Sequence, residues 1–185
     1  AFDAYQRCVE KYPASNFFEQ ALERQYAIAN LYLSGEPQRL WKLPVPTTVE
    51  RVVAMFEQIV KNAPYGKLAP VCTYKTGLAN ESFQRWSEAI KCYERVLEQY
   101  PNDDIVDDAL YQIGYAWMRA SRVNGFDEGA SAKAIDAFTE FVARYPKSEK
   151  VGQAKANLDE LRGRGTEGVL NIARFYESQK RIDAA

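Results

Sequence analysis

Apolar residues recur at helical spacing along nearly the whole chain, as in Ala89, Tyr93, Val96, Leu97 and Tyr100. No segment alternates with period two for long enough to predict a strand. The pattern predicts helices near 1–12, 17–33, 48–63, 68–83, 86–100, 104–121, 131–145, 148–162 and 168–180. Polar residues stand at the breaks. Asn102, Asp103 and Asp104 are placed to cap the helix after Pro101, where a carboxylate also complements the positive helix end. Thr47 or Thr48 is placed to cap the helix that enters at Val49.

The pattern repeats. Tyr5 is followed by Tyr12-Pro13, Phe56 by Pro64, Tyr93 by Tyr100-Pro101 and Phe138 by Tyr145-Pro146. Twelve residues before these prolines stand Ala1, Val52, Ala89 and Ala134; eight before them stand the aromatics Tyr5, Phe56, Tyr93 and Phe138. Eight residues past them stand Ala21, Cys72, Ala109 and Ala154. A small residue, an aromatic four further on and a closing proline form the second half of the tetratricopeptide repeat. Gly77 and Gly114, each thirteen past its proline, belong to the first half. A small residue there lets two helices approach closely. The expectation is an all-α tetratricopeptide-repeat superhelix, an α-solenoid of about nine helices.

Successive prolines lie 51, 37 and 45 residues apart, against about 34 for the bare unit. The excess predicts inserted loops near 34–48 and 122–130, both rich in Gly, Pro or Asn. In the first, Leu40, Trp41 and Leu43 either dock a partner or fold back over the helices. The chain opens at the small residue of a second helix and closes where another should begin. It therefore reads as a single array, residues 1–185, cut within a repeat at both ends.

Composition narrows the chemistry. Lys and Arg number 24 against 25 Asp and Glu, a net charge of −1, which gives no basic footprint for nucleic acid. There is no histidine, so hydrolases and zinc sites that need an imidazole are excluded. The cysteines Cys8, Cys72 and Cys92 are far apart, read as small core residues, and form no metal or disulfide motif. The acidic run Asp103, Asp104, Asp107, Asp108 lacks the glycine and terminal glutamate of a calcium loop and reads as capping. No cofactor and no enzymatic activity are expected. No apolar run approaches the roughly 18 residues of a membrane span. The opening Ala1-Phe2-Asp3-Ala4-Tyr5 is no signal peptide.

Two surfaces are candidates for protein partners. The register from Gly77 and Gly114 puts Tyr74, Leu78, Tyr111, Tyr115, Met118 and Arg119 on or near the concave face. Aromatic residues with an arginine have the composition of binding hot spots. They either contact a peptide or pack against the next repeat. Glu23, Tyr74 and Tyr111, with Ala27, Leu78 and Tyr115, stand where carboxylate-clamping grooves use Lys and Asn. The second surface is the glycine-interrupted turn Leu161-Arg162-Gly163-Arg164-Gly165-Thr166 with Glu167 beyond it. It is either a hinge whose guanidinium groups engage carboxylates on another chain or a solvated linker.

From Asn62-Ala63-Pro64-Tyr65-Gly66 onward the chain resembles the BamD-like outer-membrane assembly lipoproteins. The resemblance rests on Glu98-Gln99-Tyr100-Pro101-Asn102, the loop with Gly125-Phe126-Asp127, and the stretch from Ala134 through Phe138, Phe141 and Tyr145-Pro146 to Ser148. It ends on Asn171-Ile172-Ala173-Arg174-Phe175-Tyr176 and Ile182-Asp183-Ala184-Ala185. It implies a non-catalytic scaffold at the periplasmic face of the outer membrane, lipid-anchored in the full-length protein. It implies contact with the barrel-inserting subunit through the C-terminal repeats, with Arg162, Arg164, Glu167, Phe175 and Tyr176 as contact residues. It also implies receipt of unfolded barrel precursors. Gly163, Gly165 and Gly168 depart from the family's pattern there. The competing reading is another periplasmic repeat protein, one that coordinates envelope constriction with cell-wall synthesis.

Overall fold

The computed structural model describes residues 1–35, 39–40, 43–44, 48–123 and 127–178. Among them are eight α-helices: α1 (Phe2–Lys11), α2 (Phe18–Leu33), α3 (Val49–Asn62), α4 (Ala69–Ser82), α5 (Trp86–Gln99), α6 (Val106–Ala120), α7 (Glu128–Arg144) and α8 (Val151–Ser178). The fold is all-α and tetratricopeptide-like. In the first insertion, β1 (Arg39–Leu40) pairs antiparallel with β2 (Leu43–Pro44). Two residues per strand are too few to leave an alternating signature, so the sequence pattern missed them. Trp41, Thr47 and the Gly125-Phe126 pair lie outside the described residues.

The four proline motifs make four copies of one joint. Tyr12, Ala63, Tyr100 and Tyr145 precede the prolines, with φ of −134°, −145°, −130° and −123°. The proline ring bars the residue before it from helical conformation, so each helix stops there. Each of these four still donates its N–H four residues back, at 2.9–3.1 Å. Its carbonyl then accepts from Ser15, Gly66, Asp103 or Ser148. The next helix begins with the bonds Ala21→Phe17, Cys72→Leu68, Ala109→Ile105 and Ala154→Lys150, each 2.9 Å. The small residue eight past the proline is therefore the first to close a helical turn after the joint, and all four are buried.

Side-chain caps mark the starts of α3 and α7 and the approach to α6. Thr48 accepts from the Arg51 N–H and starts α3. Asp127 accepts from the Ala130 N–H at 3.1 Å, so α7 begins three residues earlier than expected. Asp103 accepts from the Ile105 N–H at 3.1 Å ahead of α6.

The chain divides into two compact units, 1–109 and 110–185, with the boundary inside α6. In the first, consecutive helices from α1 to α5 pack as neighbours and α1 also touches α3. Its core includes Leu22, Ala29, Val52, Phe56, Ile59 and Cys72. Where α4 crosses α5, a Cβ on Gly77 would lie 2.3 Å from the Tyr93 ring. The Tyr93 hydroxyl donates to Glu81 at 2.8 Å. In the second unit, a Cβ on Gly114 would lie 2.8 Å from the Phe138 ring. Both glycines are thus the close-approach points that the sequence pattern expected.

One expectation is corrected. Segments 148–162 and 168–180, read as two helices around a glycine-interrupted turn, form the single helix α8. A glycine ends a helix by taking positive φ, and among the described residues Gly35 is the only glycine that does. Left in helical φ, a glycine weakens a helix by about 1 kcal/mol relative to alanine but does not break it.

Candidate partner-binding surfaces

The tyrosines expected on the concave face divide by depth. Tyr74, 7% exposed, packs its ring 5.5 Å from that of Tyr93. Tyr111, 6% exposed, sits between Phe138 and Phe141, each 5.6 Å away. Its hydroxyl accepts from Asn157 Nδ2 at 3.4 Å, and the Lys150 ammonium lies 5.5 Å from its ring. Both rings are committed to core packing. Tyr115 and Arg119 are half-buried one and two turns along α6. Of the residues expected on that face, Leu78, Tyr115 and Arg119 keep partial exposure, while Met118 is buried with the two tyrosines.

The C-terminal candidates are presented differently. Arg162 and Arg164 are exposed on α8, and Arg164 pairs with Glu160 at 2.8 Å. Phe175 is 59% exposed further along the same helix. The side chains of Glu167 and Tyr176 lie outside what is described. Helical continuity puts the arginines and Phe175 on one element, where a hinge was one of the two expectations.

A third feature escaped sequence reading. A groove of about 480 Å³ lies between α1, α2 and α3, with Phe2, Ile28, Leu31 and Met55 as its apolar lining and Gln6, Gln58 and Arg51 as polar groups. Beneath it, side-chain amides form a network. Gln25 donates to Gln6 Oε1 at 2.8 Å, Asn62 donates to the same oxygen at 2.8 Å, and Gln58 donates to Asn62 at 3.1 Å. Gln25 is fully buried, and its Oε1 has no hydrogen-bond partner. Its position was a usable signal: Gln25 shares a helical stripe with Ala21, Leu22 and Ala29, all buried.

The remaining chemistry is quiet. Burial pushes the Cys72 thiol up to about 12 and raises that of Cys92. Neither is a nucleophile at neutral pH, because the thiolate is the reactive form. Among the described residues no three His, Cys, Asp or Glu side chains come together as a metal site. No helix there is long and apolar enough to cross a membrane.

Comparison with known proteins decides the family. A family profile described as YfiO, outer membrane lipoprotein, matches residues 47–185. The chain belongs to the YfiO outer-membrane lipoprotein family. The match begins at the doorstep of α3 and takes in three of the four proline joints, both close-approach glycines and all of α8. The chain is also similar to a protein of Caulobacter vibrioides named outer membrane protein assembly factor BamD. The two are 23% identical over 124 residues, 67% of this chain and 41% of that relative. The chain thus spans about two fifths of its relative's length. The YfiO match leaves out α1, α2 and nearly all of the first insertion, and so most of the groove lining.

Proposed function

We propose that this YfiO-family chain is a non-catalytic scaffold in the assembly of outer-membrane β-barrel proteins. It works at the periplasmic face of the outer membrane, held by lipid in the full-length protein. Its two units are consecutive parts of one repeat array with insertions near 34–48 and 122–130. Helix α8 docks on the barrel-inserting subunit, with Arg162, Arg164, Glu167, Phe175 and Tyr176 in the contact. Tyr115 and Arg119, half-buried on α6, offer a face to precursor peptides.

One observation carries this reading. The family match runs through α8, and that helix presents Phe175 to solvent together with two exposed arginines. Aromatic rings and arginines are the side chains enriched at protein interfaces, and here they stand along one helix. The test is titration of the chain with the soluble periplasmic part of the barrel-inserting subunit, at low and high salt. Reversing both arginines, Arg162→Glu with Arg164→Glu, should abolish binding while circular dichroism shows helicity unchanged. Truncating one partner of a buried charged pair loses about 2–5 kcal/mol, because the other charge is left unpaired. Normal binding by the folded double variant at both salt concentrations would place the partner surface elsewhere.

A further inference from the structure

Glu160 stands between two arginines. Its Oε1 accepts from Arg122 Nη2 at 2.7 Å and from Arg164 Nη2 at 2.8 Å. The arginines come from different elements: Arg122 follows α6, and Arg164 lies one turn along α8 from Glu160. One carboxylate therefore ties a loop to a helix, and the three groups together carry one net positive charge. All three reach solvent, with side-chain exposures of 30% for Arg122, 44% for Arg164 and 40% for Glu160. A guanidinium is a planar fork of five N–H donors, best matched by a carboxylate that takes two of them in parallel. A single oxygen shared between two forks leaves both under-used.

Arg164 is flanked in sequence by Gly163, which is exposed, and Gly165, which is half-buried. A Cβ on Gly163 or on Gly165 would meet nothing within 4 Å, and neither glycine has positive φ. Neither packing nor backbone conformation calls for glycine at these positions. What the two glycines do supply is the absence of a side chain next to Arg164, so that another chain's backbone can come closer there.

We propose that Arg122 and Arg164 form a receptor for a carboxylate on a protein partner, and that Glu160 is its resting occupant. On binding, an Asp or Glu of the partner takes over the guanidinium groups that Glu160 holds in the free protein. This rests on the reading that α8 docks on the barrel-inserting subunit, and it adds Arg122, from outside α8, to that contact. Glu160 keeps both forks side by side and opposes entry of a second anion. It sets affinity in both directions.

The substitution Glu160→Gln separates the two roles. The amide oxygen can still accept from both arginines, but the competing charge is gone. The same titration with the soluble part of the barrel-inserting subunit should show E160Q binding about two- to fivefold more tightly at low salt. The gain should shrink at high salt as the exposed charges are screened. R122A should weaken binding by a similar factor, an effect that docking through α8 alone does not require. If the double reversal Arg162→Glu with Arg164→Glu abolishes binding while E160Q and R122A match the parent, the receptor is overturned and the docking reading stands. If the double reversal also binds normally, both fall. Circular dichroism on each variant establishes that it is folded.

Discussion

Glycine occupies helix interiors in two opposite settings. At Gly77 and Gly114 a Cβ would press to within 2.3 Å of Tyr93 and 2.8 Å of Phe138. At Gly163 and Gly165, on α8, it would meet nothing within 4 Å. The residue and the helical backbone are the same. In the first setting two helices meet where only a hydrogen fits. In the second the absent side chain leaves a surface open. What a helical glycine means is thus decided by what faces it, and residues distant in sequence supply that.

The comparison breaks first, and hardest, at Gly77. Tyr93 is fully buried and its hydroxyl is held by Glu81, so the ring cannot swing aside. Even Gly77→Ala should destabilise the protein by about 1–3 kcal/mol through overpacking, and Gly77→Leu by more. Urea unfolding measures this. A parent-like midpoint for Gly77→Ala would mean that the crossing has slack the geometry denies.

Gly114 is the second test. Its nearest ring atoms lie at 2.8–3.0 Å, and no hydroxyl tethers Phe138. Gly114→Ala should therefore be milder than Gly77→Ala, whereas Gly114→Leu should still lose about 1–3 kcal/mol. An unchanged melting temperature for Gly114→Leu would show that the repeat register is wrong.

The tight setting also excludes charge. Cys72 stands where the other three joints carry alanine, and burial pushes its thiol from 9.0 up to about 12. A group with a raised folded pKa contributes stability that is complete below its unfolded pKa and is lost as pH rises through the folded value. Stability should therefore fall between about pH 9 and 12, by roughly 1.4 kcal/mol per pH unit for one such group. Cys72→Ala should reduce this slope at its onset, while the Cys92 thiol and, later, the Tyr93 phenol, both also pushed up by burial, keep the remainder. Equal slopes in parent and variant from pH 9 to 10 would remove Cys72 as the cause.

The legible parts of the fold share a local cause. Tyr12-Pro13, Tyr100-Pro101 and Tyr145-Pro146 announce their joints because proline acts on the adjacent residue. Gly77 and Gly114 were legible through a fixed count from those prolines. The continuity of α8 was not. Gly163 and Gly165 end a helix only if they take positive φ, and the sequence does not record φ. Tyr74 and Tyr111 were assigned a face but not a depth, because depth depends on Tyr93, Phe138 and Phe141 arriving from the next helix. The amide network was missed for the same reason. Gln25 stands on the buried stripe of α2, but its amide partners Gln6 and Asn62 arrive from α1 and α3.

The smallest effect belongs to the open setting, and it carries the opposite sign. Gly163→Ala and Gly165→Ala meet no obstacle, so each should stabilise α8 by about 0.5–1 kcal/mol by reducing the freedom of the unfolded chain. The gain reads out as a higher unfolding midpoint for the double variant. A lower midpoint would mean that these glycines do pack against something, and the contrast with Gly77 would collapse. Partner binding sharpens the result further. If the absence of side chains beside Arg164 lets another backbone approach, two methyl groups there hold it off, and the more stable double variant binds the barrel-inserting subunit less well. Stability and affinity would then move in opposite directions at one pair of residues. Reduced stability cannot produce that outcome, and it separates an exposed glycine kept for contact from one that merely weakens a helix.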